Sequence, residues 1–247
     1  MYQKERIDMI LSILKENGYV TVKYLTKVLG YSTATVNRDL NIMENQKMIR
    51  RTYGGVELVE NQGVPLAFRY HKMRAAKKQI GKKAAEYICD GDTVFIDGST
   101  TAECVGRFIT DRKNLTVITN NMALVSYLCR FDITVICLGG KVVEIPSMLD
   151  GLETAQNAAM YHADKMFFSV GAVTKDGKVG GGKTYSQMHW NMARNADKVF
   201  LLIDHEKIDQ PYEYIKFRFD EIDCVISDYV FDEEVKKEFS DTEFVEI

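Results

Sequence analysis

Four short stretches of the chain combine carboxylate, hydroxyl, amide and lysine side chains in places suited to holding a small anion. Asp97-Gly98-Ser99-Thr100-Thr101 closes one apolar run and Thr119-Asn120-Asn121 closes the next. Gly139-Gly140-Lys141 follows a third run, and Asp204-His205-Glu206-Lys207 a later one. Small hydroxylated residues at a helix start offer backbone N–H groups and hydroxyl donors to an anion. A lysine at the same edge neutralises its charge. Together the four stretches point to a small phosphorylated metabolite. A second anion motif competes with them. Gly177-Lys178-Val179-Gly180-Gly181-Gly182-Lys183-Thr184 has the spacing of a nucleotide-binding P-loop, and Val199–Asp204 supplies an apolar run ending in an acid suited to magnesium. Against it, Thr174-Lys175-Asp176-Gly177 reads as a polar turn, whereas a P-loop starts directly after a buried strand. His71, His162, His189 and His205 lack metal-ligand spacing, so no metal or cofactor is expected. Asp97, Asp204 and Glu206 are the candidate general bases near these stretches, and no two of them form a convincing acid–base pair, so no catalytic residue is assigned.

These residues need elements to position them. Thr93–Asp97, Leu115–Thr119, Ile133–Leu138, Lys165–Val170, Lys198–Ile203 and Cys224–Ser227 read as strands. Thr101–Ile109, Met122–Cys129, Thr154–Tyr161, Ser186–Asn195 and, more weakly, Tyr212–Phe217 read as helices between them. In the fourth of these, Met188, Trp190 and Met192 read as core packing. Alternating strand and helix over residues 84–247 predicts a mainly parallel α/β sheet, in which ligands bind at the carboxyl ends of the strands.

Residues 1–60 follow another pattern. Ile7, Ile10, Leu11 and Leu14 form one helical face that Asn17-Gly18 ends. Thr21 caps a second helix with Val22, Leu25, Val28 and Leu29 inward, and Ser32 caps a third with Val36, Leu40 and Met43 inward. Helix, glycine-containing turn, helix is the helix-turn-helix pattern. The third helix turns Thr33, Thr35, Asn37, Arg38 and Asn41 outward. Such side chains suit a major groove: Arg reads guanine, Asn reads adenine, and Thr touches a phosphate or a thymine methyl. Residues 48–58 read as two short strands about a glycine turn, a wing from which Arg50 and Arg51 reach phosphates.

The charge distribution agrees with this division. Residues 1–83 hold 16 Lys and Arg against 7 Asp and Glu, while the remainder holds 16 against 28. A basic head on an acidic body fits a nucleic-acid-binding module attached to a second domain. Residues 61–83 read as a basic linker and helix, whose Lys77, Lys78, Lys82 and Lys83 form a solvated face or add attraction to DNA. The five cysteines, odd in number and unpaired in spacing, read as buried free thiols of a reducing compartment. Without a long apolar run or a signal-peptide pattern, a cytoplasmic protein without a membrane partner is expected.

These motifs together carry a resemblance. Gly-Tyr-Val-Thr-Val-x-x-Leu (18–25), Leu-Gly-Tyr-Ser-x-x-Thr-Val-x-Arg-Asp-Leu (29–40) and Ile-Arg-Arg-x-Tyr-Gly-Gly (49–55) resemble the winged helix-turn-helix of the DeoR family of bacterial transcriptional regulators. The stretches 90–101, 115–121, 138–140, 163–168 and 204–207 are similar to the family's sensor domain, itself similar in fold to ribose-5-phosphate isomerase and the coenzyme A transferases. The resemblance implies a DNA-binding regulator, a repressor rather than an enzyme, whose operator affinity is set by a sugar phosphate. It implies that Asp97, Gly98, Ser99, Thr100 and Thr101 hold phosphate or sugar hydroxyls and that Asn120 and Asn121 bind hydroxyls. Gly139 and Gly140 then allow close approach, and Lys207 neutralises charge. The family usually has Arg at position 37, where this chain has Asn, and Phe-Gly at 208–209, where it has Ile-Asp. Reading an operator with one helix further predicts a homodimer or homotetramer. The rival readings are a sugar-phosphate isomerase or transferase with a DNA-binding head, and a P-loop protein.

Overall fold

The computed structural model describes residues 3–17, 19–46, 48–52, 55–58, 73–144, 148–181 and 186–247. The chain divides into two units, Met1–Arg69 and Tyr70–Ile247.

In the first unit, helices α1 (Gln3–Asn17), α2 (Val22–Leu29) and α3 (Thr33–Asn45) accompany strands β1 (Tyr19–Thr21), β2 (Ile49–Thr52) and β3 (Gly55–Leu58). The strands form an antiparallel sheet in the order β1-β3-β2. Thr21 and Ser32 cap α2 and α3 through side-chain oxygens that accept from Tyr24 N and Thr35 N, and Gly30 ends α2 in the left-handed conformation. Ile10, Leu14, Leu25, Val36, Leu40 and Met43 are fully buried, so the apolar periodicity found its core. Val28, expected inward, is 47% exposed.

The second unit opens with α4 (Arg74–Ala85) and continues through β4 (Thr93–Ile96), β5 (Thr116–Thr119), α5 (Met122–Leu128), β6 (Thr134–Cys137), the hairpin β7 (Lys141–Glu144) and β8 (Met148–Asp150), and α6 (Leu152–Ala158). It proceeds through β9 (Ala163–Phe168), β10 (Ala172–Val173), β11 (Lys178–Gly181), α7 (Ser186–Arg194), β12 (Ala196–Ile203), β13 (Tyr214–Arg218), β14 (Cys224–Ser227), α8 (Glu233–Glu238) and β15 (Glu243–Glu246). Seven strands form a wholly parallel sheet in the order β15-β14-β12-β9-β4-β5-β6. Side chains alternate across it. Phe95, Met166, Phe168 and Leu201 join one core, while Val94, Ile96, Phe167, Phe200 and Leu202 join the other. From β4 the chain runs outward to β5 and β6, then returns to β9 and runs the other way. The sheet's switch point therefore lies between β4 and β9, and in open α/β sheets the carboxyl ends at such a point border a crevice.

Several expectations are corrected. Tyr212–Phe217 is not helical: β13 pairs antiparallel with β11, which also pairs with β10. Thr101–Ile109 is a 3-10 helix over Ala102–Phe108, not an α-helix. Of the P-loop-like motif, Gly180 and Gly181 lie in strand β11 and Gly177 in the turn before it with φ +80, and a Cβ at Gly180 would stand 2.5 Å from the Tyr212 ring. Gly180 makes room for that aromatic ring; Gly182, Lys183 and Thr184 lie outside the described residues. Cys89, Cys129 and Cys137 are exposed and Cys104 is intermediate, so Cys224 is the one buried thiol, its pKa pushed up to about 12 by burial. Met188 and Met192 are buried as expected, but Trp190 is 36% exposed.

Candidate functional site

Helix α3 carries the first site. Thr33, Arg38 and Asn41 are exposed; Thr35 and Asn37 are half-buried. Between them, Asp39 is fully buried and accepts from Arg6 Nε at 2.7 Å, Arg6 Nη2 at 3.0 Å and Gln3 Nε2 at 3.2 Å. This carboxylate locks α3 against α1, a role that helical periodicity gave no sign of. The wing arginines are both engaged. Arg50 Nη2 lies 2.6 Å from Glu57 Oε1 on the paired strand, although its side chain remains 73% exposed. Arg51 donates to Asn37 Oδ1 at 3.0 Å, the Asn37 carbonyl at 3.1 Å and Asn41 Oδ1 at 2.7 Å, and its Nε lies 3.3 Å from Glu44 Oε2. Three of its N–H groups are thus spent on α3 rather than left for phosphates.

The second site lies at the switch point. Thr100 and Thr101 follow β4, and each hydroxyl receives a lysine. Lys77 Nζ donates to Thr100 Oγ1 at 3.0 Å, and Lys207 Nζ donates to Thr101 Oγ1 at 3.1 Å. Lys207 also donates to Ser169 Oγ at 2.6 Å, just past β9, and stands 3.7 Å from Asp204 Oδ2. Ser169 Oγ in turn donates to the Leu202 carbonyl. Two ammonium groups and three hydroxyls from four chain segments therefore meet around the β4 and β9 ends.

Beside them, Asp97 accepts from Ser99 N at 3.1 Å and Ser99 Oγ at 2.6 Å, and its other oxygen lies 3.0 Å from His189 Nε2. With Asp97 ionised, His189 Nε2 is the donor. His189 is 2% exposed; burial lowers its pKa, nearby Lys216 lowers it further, and Asp97 works the other way. Burial likewise brings the Lys216 ammonium down to about 8, against the pull of Asp97 and Asp150.

The other expected residues already have partners or close neighbours within the protein. Asn120 donates from Nδ2 to the Leu149 carbonyl at 2.8 Å, and its buried Oδ1 has no hydrogen-bond partner among the described residues. Asn121 caps α5, accepting from Ala123 N and Leu124 N, and donates to Glu103 Oε2 at 2.8 Å. Gly140 has φ +134, and a Cβ there would lie 1.9 Å from Thr154 Oγ1, whose hydroxyl donates to the Gly139 carbonyl. This glycine pair serves the turn before β7. A Cβ on Gly98 would press on Met148 Cε at 2.9 Å. Asp209, where the family usually has Gly, adopts φ +54 and accepts from Lys175 N at 3.2 Å. The 3-10 helix after Thr101 is a short dipole, so the positive charge at these strand ends comes mainly from the Lys77 and Lys207 ammonium groups.

Lys77, Ser169, His189 and Lys216 were not singled out as site residues from the sequence. One signal was readable: Lys77 lies three and seven residues before Ile80 and Ala84, on the inward face of α4, and is 4% exposed. It is therefore no part of a solvated basic face. Among the described residues, no group of three His, Cys, Asp or Glu could hold a metal ion, and no helix is long and apolar enough to cross a membrane.

Comparison with known proteins matches each of the two units to a family model. Residues 6–62 match the DeoR-like helix-turn-helix domain, and residues 72–229 match the DeoR C terminal sensor domain. The chain is 32% identical over 231 residues to the HTH-type transcriptional repressor GlcR of Bacillus subtilis, covering 92% of this chain and 89% of that one. It is 29% identical to the Glycerol-3-phosphate regulon repressor of Escherichia coli (84% and 83% covered) and 30% identical to the Lactose phosphotransferase system repressor of Lactococcus lactis (97% and 96%). Ribose 5-phosphate isomerase A of Methanocaldococcus jannaschii aligns over 56% of this chain and 55% of that one, at 16% identity and TM-score 0.42. A basic helix-turn-helix unit and a parallel sheet with a polar switch point, matched along most of the chain, make this protein a member of the DeoR family of DNA-binding transcriptional regulators.

Proposed function

We propose that the protein is a cytoplasmic repressor whose second unit binds a phosphorylated sugar at the β4–β9 switch point and thereby changes operator affinity. The observation that carries this reading is the convergence of Lys77 and Lys207 on adjacent threonines, with Ser169 between strands. A phosphate entering there takes charge-assisted hydrogen bonds from both lysines and neutral ones from the hydroxyls. The sugar hydroxyls then reach Asp97 and the open Oδ1 of Asn120. One relative is named for a glycerol-3-phosphate regulon and another for a lactose phosphotransferase system, which supports the effector class. A twofold dimer, or a tetramer built from two, would match a palindromic operator. Sedimentation that finds only monomer at micromolar concentration refutes that part.

A melting screen with glycerol 3-phosphate, hexose phosphates, free sugars and ATP with magnesium tests the effector. A ligand at 100 times its Kd stabilises the folded state by about 2.7 kcal/mol. A shift with a sugar phosphate, absent with the free sugar and absent in Lys207→Ala, is expected. A shift with the free sugar or with ATP alone overturns the reading. The Asp97–His189 pair favours a second reading, turnover of the sugar phosphate. Its disappearance over time in the presence of the protein would establish an enzyme; full recovery is expected of a sensor.

A further inference from the structure

We propose that Arg51 fixes the amide orientation of Asn37 and Asn41, so that the DNA-facing side of α3 reads base edges that only accept hydrogen bonds, guanine O6 and N7 or thymine O4, in preference to the two-bond pair that asparagine makes with adenine N6 and N7. The guanidinium approaches Asn37 Oδ1 at 3.0 Å and Asn41 Oδ1 at 2.7 Å. Arginine has five donors and no acceptor, so each amide must turn its oxygen to Arg51. The two residues are four apart on one helix face, and one guanidinium spans both. The Asn37 carbonyl accepts from the same guanidinium at 3.1 Å, and the Glu44 carboxylate stands 3.3 Å from its Nε.

The consequence is a matter of polarity. Reading adenine takes an asparagine oxygen for N6–H and an asparagine nitrogen for N7, side by side on one base. With both oxygens turned to a cation, adenine's amino group would have to approach against another donor. The NH2 groups are what remains for the groove. Arg51 thus acts as a positioning residue: it sets which bases two neighbours accept, although it comes from the wing.

The test is site selection from a randomised duplex pool with the full-length protein, comparing wild type with Asn37→Asp, Asn41→Asp and Arg51→Met. Aspartate keeps an oxygen for Arg51 and replaces the NH2 group by an acceptor. Each aspartate variant should lose guanine or thymine at one base position and gain cytosine there, whose N4 is a donor, with preference changing roughly tenfold. Arg51→Met frees both amides, and adenine should rise at those positions. Asn41→Ala, at an exposed site, should lose preference at its position without gaining a new one, which keeps the test open if an aspartate variant fails to fold. Three results overturn the proposal: responsive positions that carry adenine in the wild type, no change of base preference in any variant, or an equal loss on all DNA including random sequence.

Discussion

Helix α3 and the β4–β9 crevice hold their polar residues under opposite conditions. On α3 the outward set of Thr33, Arg38 and Asn41 is exposed, and the one buried carboxylate, Asp39, belongs to the packing. At the crevice Asp97, Ser99, Thr100, Thr101, Asn120 and Ser169 are each at most 8% exposed. On the function proposed above, the difference follows from the size of what is met. A duplex touches a surface, so its readers stand in water and their affinity rides on phosphate charge. A small anion is enveloped, so its partners must already be dehydrated and mutually bonded before it arrives. The first kind of site is built from one helix and one hairpin; the second takes residues from α4 to β13.

The largest expected effect separates the two regions by stability. Leu40→Ala removes a fully buried side chain from a core of few residues and should cost about 2–5 kcal/mol. Specific DNA binding should collapse while the ligand-induced melting shift survives; loss of both would show that the crevice depends on the first unit. Gly140→Ala is the counterpart. With φ +134 and Thr154 Oγ1 in the way, it should cost about 2–4 kcal/mol by calorimetry. An unchanged melting temperature would mean the turn relaxes freely.

Arg38→Ala should weaken specific DNA binding by roughly 1–3 kcal/mol and spare random DNA; equal loss on both would make Arg38 a phosphate contact. A pH titration probes the crevice. Because the folded pKa of His189 lies below 6.5, the unfolded chain takes up its proton first as pH falls. Stability should therefore drop from about pH 6.5 downward, and His189→Asn should flatten that part of the curve. Lys216, lowered to about 8, instead adds stability as pH rises from about 8 towards 10.5. The smallest effect belongs to Lys78 and Lys82, both exposed on α4. Their replacement by Gln should lower the salt slope of DNA binding by at most about one or two, and an unchanged slope would confine DNA attraction to the helix-turn-helix unit.

The sequence by itself determined what is local and periodic. Capping residues, apolar faces at helical spacing and a glycine turn lie within sixty residues, and each reports its own neighbourhood, so α2, α3 and the wing strands were legible. Six strands of the parallel sheet were legible for the same reason. The tertiary structure decided which polar groups meet. Asp97 and His189 are 92 residues apart, and Lys207 and Thr101 are 106 apart. Periodicity shows that a residue points inward, but not what waits there. Lys77 sat in a run of lysines whose charge suggested solvent, until the sheet edge gave its ammonium a threonine. Tyr212–Phe217 held too few residues for its period to distinguish strand from helix, and β11 settled it by pairing. Arg51 looked like a phosphate contact because the hairpin, which gives Arg50 its Glu57, shows no such partner for Arg51 among its described residues. Only the packing of wing on helix supplied the two amide oxygens.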